Sequence, residues 1–365
     1  MKEQGRVKQR RFDSLLASMA AVFMGLFIGL LVLLLSNPAQ ALPGFGIILT
    51  GAFTHGAKGL GQVFYYATPI ILTGLSVGFA FKTGLFNIGA SGQFIVGAFF
   101  SVYVGILWKG LGPFHWILAL LAAIFGGALW GMVPGLLKAC FQVNEVISSI
   151  MMNYIGMYLV NWIVKGNAAL FNNMRNESQN VAATARIPKM GLDRVFPGSS
   201  VNGGIFLAVA AVLLIWVILY RTAFGYELRA VGLNRDASRY AGISEKRCIV
   251  LSMVIAGAIC GLAGGLLYLA GTGKHIEIKD VLAAEGFTGI SVALLGMSNP
   301  LGILCSGIFI AYLTAGGFYL QLYEFSTEII DIIVAVIIYF GAFALFIRKL
   351  LDRWSRDKRT GGDAK

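Results

Sequence analysis

The chain has 365 residues, of which 57% are hydrophobic and 13% charged, with a mean hydropathy of +0.77. That balance excludes a water-soluble globular domain and points to a polytopic membrane protein. The net charge of +12 is accompanied by no nucleic-acid-binding motif, and the basic residues gather between and beyond the apolar runs, so no nucleic-acid partner is expected.

Lys2, Arg6, Lys8, Arg10 and Arg11 precede an uncharged run from Leu15 to Leu35. This run exceeds the ~7–15 residues of a signal-peptide core, so it reads as a retained span behind a cytoplasmic basic tail, residues 1–14. Ser36 to Gln62, with its scattered Gly and Pro, reads as an external connection, and a second span follows at Val63 to Phe81.

From Leu72 to Phe94 the pattern changes. Gly84, Gly89 and Gly92 interrupt the helix, and Lys82, Thr83, Asn87, Ser91 and Gln93 place small polar groups where lipid would penalise them. Irregular backbone at membrane depth is tolerated only where protein or a water-filled cavity covers it, which makes this stretch a pointer to a transport path. A plain loop between two spans would show the same glycines.

A third span, Phe94 to Leu107, is short, and a fourth, His115 to Leu137, carries Gly127, Gly131 and Gly135 on one face, where a neighbouring helix can approach closely. The fifth span, Val146 to Val164, opens with Asn144, Ser148, Met152 and Asn153 at helical spacing. This face either lines the path or supplies hydrogen bonds that hold the bundle together. Residues 165–203 form a long polar insertion, external by alternation and long enough to dock a partner. Asn176 lies in a glycosylation-type triplet, a pattern that arises often by chance.

After the sixth span, Gly204 to Tyr220, the segment 221–247 holds Arg221, Arg229, Arg235, Arg239, Lys246 and Arg247. Asn234 can cap a short helix from Arg235 to Ala241 that Gly242 stops. Such an amphipathic helix suits a groove in another protein, or anionic headgroups. The seventh span, Cys248 to Ala270, repeats the small-residue stripe with Gly257, Gly261 and Gly265. A short piece, Glu285 to Met297, contains Thr288-Gly289-Ile290-Ser291-Val292, an echo of Thr73 to Val77. Short interrupted segments in both halves are what a repeated transporter core shows. Spans at Leu301 to Phe318 and Glu328 to Phe346 complete an all-α bundle of about ten spans with discontinuous helices, residues 15–347, before a basic tail, residues 348–365. Both termini are expected in the cytoplasm, because that orientation places most of the 29 Lys and Arg residues there.

The four cysteines have no metal-like spacing, and the three histidines lie far apart, so neither metal nor catalytic residues are expected. There is no phosphate loop, since Gly273-Lys274 is followed by His275. The spans hold almost no charge, which disfavours a proton relay or ion-coupled carrier. If the chain works in a pump, a partner supplies the energy.

Four blocks carry a resemblance: LTGLSVGFAFKTGLFNIGASGQ (72–93), NEVISSIMMNYIG (144–156), FGYELRAVGLNRDASRYAGI (224–243) and ALLGMSNPLGI (293–303). They resemble permease subunits of the branched-chain amino acid and ribose class of ABC importers, and are most similar to nucleoside permeases of the NupP kind. The resemblance implies a bacterial plasma-membrane permease that is not itself an enzyme and binds no cofactor. It implies a second permease, often a paralogue, and a cytoplasmic ATPase with two nucleotide-binding domains that uses ATP and Mg. An external substrate-binding lipoprotein delivers nucleosides. The ATPase contact falls on Phe224, Gly225, Tyr226, Arg229, Ala230, Gly232, Asn234 and Tyr240. Phe86, Asn87, Ser91, Gln93, Asn153 and Tyr154 are expected along the substrate path, where amides and aromatic faces suit a neutral nucleoside and a sugar equally well.

Overall fold

The computed structural model describes residues 23–340, apart from 109, 327, 330, 334, 337 and 338. The expected basic tails, the start of the first expected span and the end of the last lie outside the described residues. The described chain is mostly helical and divides into two compact units, residues 23–51 with 313–340 and residues 52–312.

In the first unit α1 (Phe23–Ser36) is followed by α2 (Ala41–Thr54), whose last residues pass into the second unit. The sequence placed an external connection over Ser36 to Gln62, and the structure corrects this. Pro43 sits in the first turn of α2, where its missing N–H costs no hydrogen bond, so the residue that suggested a loop is compatible with a helix. A Cβ on Gly316 would stand 2.6 Å from the Ile48 carbonyl oxygen, so small residues bring these backbones together.

The second unit is organised around α3 (Gly56–Lys82) and α11 (Glu245–Tyr268). Residues 67–80 of α3 are buried without interruption. The Thr68 hydroxyl donates to the Phe64 carbonyl at 2.9 Å and that of Thr73 to the Pro69 carbonyl at 3.0 Å, so the helix answers its own buried hydroxyls. Packed on this pair are α4 (Ala90–Leu107), α5 (His115–Phe141), α8 (Gly204–Arg221) and α12 (Ala284–Leu295), and α6 (Glu145–Gly166) lies against α4 and α5. Leu121, Phe125 and Leu129 of α5 are exposed, as an outward face solvated by acyl chains requires. α13 (Pro300–Tyr319) begins in this unit.

Among the described residues, seven helices are long and apolar enough to cross a membrane, and α1, α2 and α12 are shorter apolar helices. α12 covers most of the short eighth piece read from the sequence. The insertion 165–203 is ordered by pairing. Strand β1 (Phe171–Asn172) lies antiparallel to β2 (Glu177–Ser178), and residues 176–178 bond to 276–278, with Ser178 N–H donating to Ile276 O at 2.9 Å and Ile278 N–H to Asn176 O at 3.0 Å. This segment also includes the short helix α7 (Leu192–Val195). At the opposite end of the bundle lie α9 (Ala223–Leu233) and α10 (Arg235–Tyr240). Thr222 caps α9 by accepting from Gly225 N–H at 3.1 Å, and Asn234 caps α10 by accepting from Ala237 N–H at 3.0 Å.

Candidate functional site

The break between α3 and α4 spans residues 83–89 and is narrower than the glycines suggested, because Gly92 lies inside α4. Gly84 adopts φ +70°, which a Cβ would strain, and it turns the chain out of α3. Gly92 permits contact instead, since its Cβ would meet the Asn153 Cα at 2.9 Å.

Backbone freed by the break needs partners that lipid cannot supply. Asn153 supplies two, its Oδ1 accepting from Gly92 N–H at 2.8 Å and its Nδ2 donating to Ile88 O at 3.0 Å. Asn87 and Gln93 bond reciprocally, Asn87 Nδ2 donating to Gln93 Oε1 at 2.9 Å and Gln93 Nε2 to Asn87 Oδ1 at 3.0 Å. The Asn87 amide also donates to Ser76 Oγ at 3.3 Å, and that hydroxyl donates to Ala256 O of α11 at 2.6 Å. Asn87, Gln93 and Asn153 are at most 1% exposed. Phe86 stacks on Phe81 with centroids 5.2 Å apart. Tyr154, one position on from Asn153, is 45% exposed on another face of α6. The structure thus joins Asn87 to Gln93 and Asn153 to the break, and leaves Tyr154 outside this network.

Ser91 opens α4 and donates its hydroxyl to Ala283 O. It lines a cavity of about 230 Å³ at the end of the bundle that carries the 165–203 insertion. The walls come from α4, α6, the end of α11 and residues 274–285, with Asn161, Tyr268, Lys274, Glu277 and Glu285 among the polar lining groups. Sequence reasoning missed these five. Asn161 carried a usable signal, a lone amide two turns beyond Asn153 in an apolar span. The others join the cavity through long-range packing.

At the opposite end, Gly225 is pressed on α8, its Cβ position lying 2.7 Å from the Leu219 Cα. The Arg229 guanidinium sits over the Tyr220 ring at 5.1 Å. A Cβ on Gly232 would lie 2.9 Å from the Thr83 carbonyl carbon, so α9 rests directly on the break. Thr83 is tied in turn to α11, accepting from the Ser252 hydroxyl at 2.9 Å. Phe224 and Ala230 are half-buried, whereas Tyr226, Asn234 and Tyr240 are exposed, Tyr240 at 95%. Leu233, absent from the residues singled out in this segment, is 89% exposed beside them.

The glycine stripes meet along the seam between α5 and α11. A Cβ on Gly127 would come within 2.7 Å of the Gly261 Cα, and one on Gly131 within 3.1 Å of the Gly257 Cα. Gly135 faces Met253, and Gly265 faces Ala123. No group of three or more His, Cys, Asp or Glu able to hold a metal occurs among the described residues.

Residues 59–342 match the family described as the permease component of the branched-chain amino acid transport system. The guanosine ABC transporter permease protein NupP of Bacillus subtilis is 36% identical over 345 residues, 94% of this chain and 97% of its own length. The nucleoside ABC transporter permease protein NupB of Lactococcus lactis is 32% identical over 344 residues, 93% of each chain. The glucose ABC transporter permease protein TsgB13 of Haloferax volcanii is 30% identical over 351 residues, 92% of this chain and 90% of its own. A second Bacillus subtilis guanosine permease protein, NupQ, is 28% identical over 253 residues, 68% of this chain and 77% of its own. No solved structure matches the chain. With the match running across the helical bundle from α3 onward, this multi-pass membrane protein belongs to the family of branched-chain amino acid transport system permease components.

Proposed function

We propose that the chain is one of two permease subunits forming the translocation path of an ATP-driven importer of nucleosides in a bacterial plasma membrane. The observation that carries this reading is similarity along nearly the whole chain to two permeases whose names specify guanosine and nucleosides. The occurrence of NupP and NupQ in one organism supports a paralogue as the second subunit. The chemistry is compatible: the buried polar residues described are Ser, Thr, Asn, Gln and His, with no buried Asp, Glu, Lys or Arg among them, as suits a neutral cargo.

In this reading the chain binds no cofactor, and a separate cytoplasmic ATPase with two nucleotide-binding domains uses ATP and Mg. It docks on α9 and α10, where Tyr226, Leu233 and Tyr240 stand exposed. Gly232 then passes its movement to the break at Thr83 and Gly84, and an external lipoprotein delivers cargo at the end that carries the 165–203 insertion. Phe86, Asn87, Gln93 and Asn153 hold the broken segment whose displacement opens the path, with Ser91 at its outer end. The glucose relative favours a second reading, a sugar permease. Radiolabelled guanosine, glucose and leucine uptake, compared in cells with and without the chain, decides between them. Loss of guanosine uptake alone supports the nucleoside reading, and loss of glucose or leucine uptake alone refutes it.

A further inference from the structure

The cavity of about 230 Å³ beside Ser91 carries an inference beyond its position on the path. Its walls are built rather than incidental. Ser91 donates to Ala283 O, and Asn161 Nδ2 donates to Lys279 O at 3.1 Å, so residues 279–283 are pinned across the bundle from α4 and α6.

Among the groups that face the cavity, Tyr268 and Glu285 have hydrogen-bonding capacity left over. The Tyr268 hydroxyl takes no hydrogen bond among the described residues, although its ring is packed against Phe94 at 6.4 Å. Tyr268 is half-buried and lines the cavity, so its hydroxyl is open to a ligand that can donate to it and accept from it. Glu285, in the first turn of α12, accepts from Lys274 Nζ through Oε1 at 3.2 Å, and its Oε2 has no partner among the described residues. Lys274 and Lys279 balance Glu277 and Glu285 around the cavity, so the site presents strong donors and acceptors with no net charge.

That arrangement selects a neutral ligand with adjacent hydroxyls. Each hydroxyl of a vicinal diol can donate to the free carboxylate oxygen and accept from the phenol or the ammonium. The volume falls below the roughly 300 Å³ at which sites for drug-sized ligands begin, and suits one sugar ring rather than a sugar with its base.

We propose that this cavity takes the ribose ring of a nucleoside and holds its vicinal hydroxyls between the Glu285 carboxylate and the Tyr268 hydroxyl. The assignment rests on the nucleoside reading given above, and its test separates the two. In cells carrying the complete importer, uptake of guanosine and of 2′-deoxyguanosine is measured for the native chain, Tyr268→Phe and Glu285→Gln, at equal membrane levels. Because every other component is unchanged, a shift in the ratio belongs to this chain. The native preference for guanosine falls by about threefold to tenfold in each variant. An unchanged ratio in both variants with guanosine uptake retained overturns the assignment and leaves the nucleoside reading standing. Guanosine uptake that persists when the chain is removed, with glucose uptake lost, overturns the reading and the assignment together. Should the variants lose uptake altogether, Ala284→Cys decides. A membrane-impermeant thiol reagent modifies that position, and guanosine slows the modification at least threefold more than 2′-deoxyguanosine does. Equal rates with both overturn the assignment.

Discussion

The reciprocal amide pair at the break offers the sharpest test of what holds the broken helix together. Gln93→Met keeps the length of the side chain but removes both bonds to Asn87, leaving Asn87 Oδ1 unpaired and its Nδ2 with only the longer bond to Ser76. With both residues at most 1% exposed, no water replaces the lost partner. Two lost bonds and one stranded acceptor cost about 2–4 kcal/mol, using ~1–3 kcal/mol for an unmet buried polar group. Asn87→Leu costs about the same. The double variant removes both ends at once, and its cost falls short of the summed singles by about 1–3 kcal/mol, given ~0.6–1.7 kcal/mol for each hydrogen bond between membrane helices. The assay is unfolding of the purified chain in mixed micelles by a denaturing detergent, followed by circular dichroism. Single variants costing less than about 0.5 kcal/mol, with a strictly additive double, would refute the argument that this pair clamps the break.

Gly261→Val forces a branched side chain against the Gly127 Cα and lowers stability in the same assay by at least about 3 kcal/mol, whereas Gly46→Ala, with open space around its Cβ, leaves it unchanged or raises it by about 0.5–1 kcal/mol; equal effects would contradict the packing described for the seam. His115 donates from Nε2 to Val104 O at 3.0 Å, so its Nδ1 accepts from the Thr184 hydroxyl at 2.8 Å. His115→Phe therefore frees residues 183–185, and limited proteolysis cuts the 165–203 insertion at least about threefold faster; an unchanged rate removes His115 as the anchor. Gly232→Val pushes α9 away from the break, so uptake falls at least about tenfold while membrane insertion and ATPase binding persist. Full uptake in that variant would break the proposed link between α9 and the path.

The amino-acid sequence by itself determined the class and most of the helices. A membrane demands long apolar runs, and seven such helices lie at or near the runs read along the chain. It also exposed the break after α3 and the cap at Asn234, because glycine and capping residues act on their immediate neighbours. It failed at α2, where Pro43 and three glycines argue for a loop, although Pro43 falls in the first helical turn and Gly51 packs against Gly316 of α13. Only the tertiary structure decided who pairs with whom: Asn87 with Gln93, Gly232 with Thr83, and Asn161 with the backbone of Lys279. In a bundle whose helices are all apolar, periodicity marks a buried face without naming the face it meets. Pairing is set by which small residues let two backbones close and which polar groups must answer one another out of reach of water.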